Sequence, residues 1–502
     1  MKTDKIVAVL AAVSGAAAFW RMECRGRVGL ARIDPLISPG EVSQHAHTIH
    51  GSSGFSETAT YDDLVNANCT SCAVTEDKSA YWTPAMYFRF ANGTYQLVEQ
   101  VGGMLAYYFL YQDDGNPTGQ IQAFPKGFRM IAGDSLRRNY SIPGASYLQP
   151  DPEKSFWASL NQISQNDLSQ RAIGFNCLNY ARTPEGSLFR HYLPDKSYLD
   201  ANCADGVRLE LMFPSCWNGK DLDAPNHKDH VAYPDLVSTG ACPQGFNVKL
   251  PGLFYETIWA TDAYRGIDGE FVISNGDVQG FGYHGDFIMG WDQAFLQNAV
   301  NTCTNMSGEI QDCPLFTILD QDTQRSCSMQ AMPSALVNEQ VAGTIGTTLP
   351  GNVAIQYGPG EATAAHPGPQ TTTVAVPTVS YSPGASATGS EYQPGQVFHQ
   401  LSSSSGLSSS TSSPVATPAT ASAPAVTPAP AAPSATDAIS YEAVRTDYVT
   451  AGNVVSEIVV EEAVEYVTVT TATVTVTVGG PKAKRETHMH RHKGRHGHTR
   501  RR

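Results

Sequence analysis

Short apolar runs closed off by Gly, Pro, Asn or Asp recur along the first two thirds of the chain. Residues 87–90, 95–101, 104–111, 128–132, 207–213, 248–250, 254–260 and 270–274 have the length and bounding residues of β-strands. The run 105–110 is apolar without interruption, which suits a strand buried on both faces. Helical patterning is sparse. In 291–303, Trp291, Phe295, Ala299 and Cys303 recur every four residues and Asp292 lies in the first turn, so a helix is expected there; 155–166 is a second, weaker helical segment. Many short strands, long loops and few helices predict a mainly β fold, a β-sandwich or jelly roll.

The patterning changes at the ends of the chain. Two lysines precede an apolar stretch that closes on Ala16, Ala17 and Ala18. This is the make-up of a secretory signal peptide over residues 1–18, and the apolar part is too short for a bilayer span. Residues 19–336 are then long enough for a substantial core. From residue 337 to about 440 the chain turns to Gly, Pro, Ala, Ser and Thr, a composition expected to stay disordered as a linker or O-glycosylated stalk. Residues 441–480 are rich in Val and Thr and β-prone, with Glu457, Glu461, Glu462 and Glu465 opposing self-association. The last 22 residues hold nine Lys/Arg against one acid and five histidines; that +8 leaves −22 on the rest of a chain whose net charge is −14. A solvated tail, or a cationic end for acidic wall polymers, fits this split, and Lys484-Arg485 has the form of a dibasic processing site.

Secretion gives the cysteines a meaning. Cys24, Cys69, Cys72, Cys177, Cys203, Cys216, Cys242, Cys303, Cys313 and Cys327 are even in number and all precede residue 328, as expected of a disulfide-bonded domain. The Cys69-x-x-Cys72 spacing lacks a second CxxC and a thioredoxin-like βαβ setting, so both are read as structural disulfide positions. N-glycan acceptor motifs begin at Asn68, Asn92, Asn139 and Asn305.

Candidate chemistry gathers around histidine. His45, His47 and His50 lie in one stretch; His227 and His230 follow Asp221 and Asp223; His284 precedes Asp286 by two residues. Residues two apart on a strand share a face, so His45 with His47, and His284 with Asp286, could converge, while His50 points away unless a bulge or Gly51 redirects it. His45, His47, His227, His230 and His284 are therefore candidate ligands for a divalent metal, with Asp286 as a further ligand or a supporting carboxylate. The competing reading has these histidines bonding loop backbone, since no stringent motif such as HExxH is present.

Glu256 should share a strand face with Phe254 and Ile258. A carboxyl on an apolar face has a raised pKa and suits general acid work, so Glu256 and Asp286 are the candidate catalytic carboxylates; Asp277 and Asp229 are other possible partners in a glycosidase-like pair. The stretch from Gly280 to Gly285, GFGYHG, fits GxGxxG formally. It lacks the strand and crossover helix of a dinucleotide site and reads as a glycine-rich turn.

The runs FWRMECRGRVGLARIDPLISPGEVSQHAHTIHGSSGFS, CTSCAVTEDKSAYWTPAMYF, FPSCWNGKDLD, HKDHVAYP and SNGDVQGFGYHGDFIMGWD, in this order over residues 19–303, resemble the DUF1996 family. The resemblance implies a secreted fungal protein located outside the cell or in its wall. It implies no catalytic residues, because the family name records unknown function. The expectation is thus a secreted glycoprotein that binds or acts on cell-wall or plant polysaccharide through a histidine-rich, metal-binding pocket, a hydrolase or lyase if an enzyme. The alternative is a non-catalytic wall or adhesion protein on a glycosylated stalk. No nucleic-acid partner and no transmembrane segment are expected.

Overall fold

The structure is a computed structural model that describes residues 18–363 and the backbone of Ser440–Ala451 and Val454–Val464. The expected signal peptide, most of the Ser/Thr/Pro/Ala-rich stretch and the basic histidine-rich tail lie outside the described residues. The chain divides into two units, Met1–Ser405 and Gly406–Arg502. Within the second, Ser440–Ala451 and Val454–Val464 form an antiparallel hairpin.

The first unit is mainly β and carries two large sheets. One has six strands, in the spatial order Gly308–Glu309, Phe19–Cys24, Gln100–Phe109, Gly252–Trp259, Val207–Met212 and Ile173–Cys177; the other has five, in the order Gly29–Ala31, His47–Gly51, Ala80–Pro84, His284–Ile288 and Arg129–Gly133. Smaller four- and three-stranded sheets flank them.

The two large sheets pack face to face, because each strand sends alternate residues inward. From Gln100–Phe109, Met104, Ala106 and Tyr108 enter the central core, whereas Leu105 and Tyr107 belong to a separate apolar cluster on the outer side. Every residue from Met104 to Tyr108 is buried, so the uninterrupted apolar run does mark a strand covered on both faces. Contact between the sheets is direct. Tyr81 Oη meets Tyr108 Oη at 2.7 Å, and Tyr255 Oη donates to the Asp286 carbonyl at 3.0 Å. At Gly285 a Cβ would stand 2.6 Å from Leu211 Cδ2, so glycine lets the sheets approach.

The expected strands appear with one notable change. Residues 95–101 split between Tyr95–Leu97, in the four-stranded sheet, and Gln100–Phe109. The longer strand bulges at Gly102 and Gly103, both with positive φ, where the partner register jumps from Met104 to Val101. A side chain at Gly103 would collide with the Cys24 carbonyl, 2.0 Å away.

The helix expected over 291–303 is Gln293–Thr302, capped by Asp292. The helix expected over 155–166 does not form. Only a 3-10 turn, Lys154–Phe156, occurs there, Asn161 takes a positive φ, and the helix begins at Gln165 behind a Ser164/Asp167 capping box, ending at Arg171.

All ten cysteines pair, as Cys24–Cys72, Cys69–Cys327, Cys177–Cys203, Cys216–Cys242 and Cys303–Cys313. The two cysteines of the CxxC are bonded to different partners. Five disulfides fit an extracellular protein. The body also runs past residue 336: Thr344–Ile345 pairs with Tyr95–Leu97, and the Ala362 N–H donates to the Leu136 carbonyl at 2.8 Å. No helix among the described residues is long and apolar enough to cross a membrane.

Candidate metal centre

The outer face of the five-stranded sheet carries the histidines. In the His47–Gly51 strand, alternation sends His47 and Ile49 outward and His50 to the opposite side, where its Nδ1 lies 2.9 Å from the Gly26 carbonyl and its Nε2 3.1 Å from Gln100 Nε2. On His284–Ile288, paired to both Ala80–Pro84 and Arg129–Gly133, His284 and Asp286 occupy one face. The loop joining Gly29–Ala31 to His47–Gly51 folds over that face and delivers His45. Ile33, Leu36, Phe55, Leu64 and Leu336 seal it with Ile49, Trp82 and Ile131.

His45, His47 and His284 each present a ring nitrogen within a group no wider than 4.8 Å. His45 Nε2 and His284 Nε2 are 3.0 Å apart. The turn Asp277–Gly282 aims the third ring: Asp277 accepts from the N–H groups of Gln279 and Gly282, and the Gly282 carbonyl stands 2.9 Å from His284 Nδ1. An Nδ1–H donated to that carbonyl leaves the His284 Nε2 lone pair facing the cluster. The glycine-rich stretch is therefore a turn that shapes the site.

Burial pushes all three rings below the ordinary histidine pKa, His284 to about 4, and their mutual repulsion adds to it at His45 and His47. They are neutral imidazoles, the form that binds metal. Neither ring nitrogen of His47 makes a well-formed hydrogen bond, although the Ile33 backbone approaches the ring. Both Asp286 oxygens are also buried without a partner. Burial, reinforced by nearby Asp34, drives the Asp286 carboxyl well above the usual range, and Lys228 is the neighbouring cation. Buried polar atoms normally find partners, so an orphaned imidazole and an orphaned carboxyl on one face call for a missing one. Three imidazoles suit zinc or copper better than calcium or magnesium, and Asp286, on the same sheet face, lies outside the group they form.

His227 and His230 lie outside the group. His227 sits between Asp223 Oδ1, 2.7 Å from its Nδ1, and the Leu36 carbonyl, 3.0 Å from its Nε2. His230 Nε2 is 2.9 Å from the Arg129 carbonyl. His227, which takes a positive φ, thus pins the covering loop.

Glu256 occupies the outer face of the other sheet with Phe254 and Ile258. Tyr107 Oη donates to Glu256 Oε2 at 2.6 Å, and Arg208 lies between Glu256 and the cross-strand Glu210, its Nε 3.3 Å and 2.7 Å from their Oε1 atoms. Burial raises the Glu256 carboxyl against the pull of Arg208, Glu210 adds to the rise, and the net result is about 7. Glu256 and Asp286 do not form a pair across a cleft, because they point away from the core on opposite sheets. Asp277 is committed to its turn and Asp229 to a loop. The sequence reading missed Asp34, Lys228, Arg208 and Glu210. The last two left a signal, charges at alternate positions of Val207–Met212; Asp34 and Lys228 left none.

Of the glycan acceptors, Asn68, Asn92 and Asn305 are exposed and Asn139 is half-buried.

A two-sheet, disulfide-bonded β fold with a sealed histidine cluster on one outer face defines the class of protein. The chain belongs to the DUF1996 family: that model, described as a domain of unknown function, matches residues 34–291, more than half of the chain. The matched span contains His45, His47, His284 and Asp286. No curated protein and no solved structure matches the chain.

Proposed function

We propose that this is a secreted fungal glycoprotein whose domain holds a divalent metal through His45, His47 and His284, with Asp286 as a supporting carboxylate, and engages cell-wall or plant polysaccharide. The observation that carries the metal reading is the convergence of three buried imidazoles, with neither ring nitrogen of His47 in a well-formed hydrogen bond. Support for the compartment comes from the five disulfides and the exposed glycan acceptors.

When bound, the metal supplies either a fixed structural crosslink or a Lewis acid that activates water. The chain's own residues set which applies. The covering loop, pinned by His227 and by the Arg32 contacts with Glu339 and the Ser43 carbonyl, keeps bulk water out. The Gly282 carbonyl fixes the His284 tautomer. The burial of all three rings, each no more than 8% exposed, favours the second reading, a non-catalytic wall or adhesion protein in which the metal is structural.

Metal analysis of the Met1–Ser405 unit, which excludes the histidine-rich tail, tests the metal assignment. One tightly held ion per chain, lost in His47→Ala, is expected. A metal-free, fully folded protein that takes up no zinc or copper on titration would remove it.

A further inference from the structure

On the outer face of the six-stranded sheet lies a cavity of about 990 Å³, at the top of the range for small-ligand sites. Its floor is aromatic in a regular way. Tyr107, Phe109 and Tyr111, alternate residues at the end of one strand, stack with centroid spacings of 5.6 and 4.9 Å and interplanar angles of 18° and 8°. Phe19 extends the row from the neighbouring strand, 6.4 Å from Tyr107. The rings form an offset stack, and Phe19, Phe109 and Tyr111 are only partly buried, so parts of these rings line the cavity.

Two acids line the same cavity from different elements. Glu256 rises from the sheet beside Tyr107. Asp151 comes from the loop before Lys154–Phe156 and is held by Arg171 Nε at 2.9 Å and His191 Nε2 at 3.1 Å. Although burial works to raise Asp151, His191 and Arg171 hold it below the usual carboxylate range, whereas Glu256 is raised. One acid is therefore a fixed acceptor, and the other titrates near neutral pH.

We propose that this cavity, not the histidine face, is where the protein binds a saccharide chain, with a sugar ring packed against the partly exposed rings of Phe19, Phe109 and Tyr111 and its hydroxyls bonded by Glu256 and Asp151. A sugar ring has an apolar C–H face and a polar rim. Partly exposed aromatic rings beside two acids that line the same cavity match both. The class of ligand rests on the polysaccharide reading above; its place on the protein does not.

The test is affinity electrophoresis of the full secreted chain in gels containing soluble β-1,3-glucan, β-1,4-xylan or glycol chitin, beside a glycan-free gel. Retardation by at least one polymer is expected. It should be abolished in Tyr111→Ala, which lies beyond the strand's hydrogen-bonded end, and weakened in Glu256→Gln. His47→Ala, which reports on the metal reading, should be retarded like the parent protein. Absence of retardation in all three gels overturns the proposal, as does retardation that survives in Tyr111→Ala and Glu256→Gln. Retardation lost in a folded His47→Ala but kept in Tyr111→Ala would overturn it too, by moving the glycan to the histidine face.

Discussion

The two outer faces of this sandwich treat buried polar groups in opposite ways. On the five-stranded sheet, His47 and Asp286 are sealed under a loop with partnerless atoms. On the six-stranded sheet, Glu256 is buried just as deeply, yet its neighbours Tyr107, Arg208 and Glu210 form a connected network beside an open cavity. A closed face with unmet hydrogen-bonding capacity is suited to an ion. An open face with its polar network already met is suited to a larger molecule that adds contacts at the rim. The difference separates two roles that a count of histidines and carboxylates would merge.

The largest effect expected is from breaking the network of the open face. Arg208→Met leaves Glu210 and Glu256 buried without their cation and should destabilise the protein by about 3–5 kcal/mol, measured by denaturant unfolding; a loss below about 1 kcal/mol would mean that the two acids carry no charge to compensate. Next comes the seal on the closed face. Cys327 belongs to the cluster that covers the histidines, and its bond to Cys69 closes a loop of 258 residues. The double variant Cys69→Ala/Cys327→Ala should lose about 2–5 kcal/mol and release bound metal to a chelator faster than the parent; unchanged release would show that the seal does not guard the ion.

Asp286→Asn sharpens the contrast further. If the carboxylate supports the ion, metal affinity should fall about 10–100-fold, while chelator-treated protein should melt no lower than the parent. A drop in melting with affinity intact would assign Asp286 to structure alone.

Glu256 gives a pH signature that belongs to the open face. Its pKa in the folded protein, about 7, exceeds the ordinary 4.5, so the folded state holds the proton more tightly. The stabilising contribution is complete below about pH 4.5 and is lost as pH rises through about 7. Stability should therefore fall across this window, and Glu256→Gln should flatten that part of the curve; an unchanged slope would place the titration elsewhere. The smallest effect is at the rim: Tyr111→Ala should change stability by about 1 kcal/mol or less while removing glycan retardation.

Much of this was legible in the chain itself. Alternation in 254–260 put Glu256 with Phe254 and Ile258, and it does share their face. The unbroken apolar run 105–110 signalled a doubly covered strand. Its second period, which sets Tyr107, Phe109 and Tyr111 in one row, was equally present but hidden by the Leu and Tyr residues between them. Residues 155–166 looked helical because composition there allows a helix, whereas the Ser164/Asp167 capping box fixes where one starts.

The sequence by itself determined the β class, the pairing-competent set of ten cysteines, and which neighbours share a strand face, since these follow from local periodicity and composition. Only the tertiary structure decided that His45, His47 and His284 meet while His227 and His230 do not, and that Glu256 and Asp286 face away from each other. Those outcomes depend on which strands become neighbours and which sheet each joins. Strand pairing joins residues more than 200 positions apart, as at Trp82 and Asp286, and local periodicity carries no information about it.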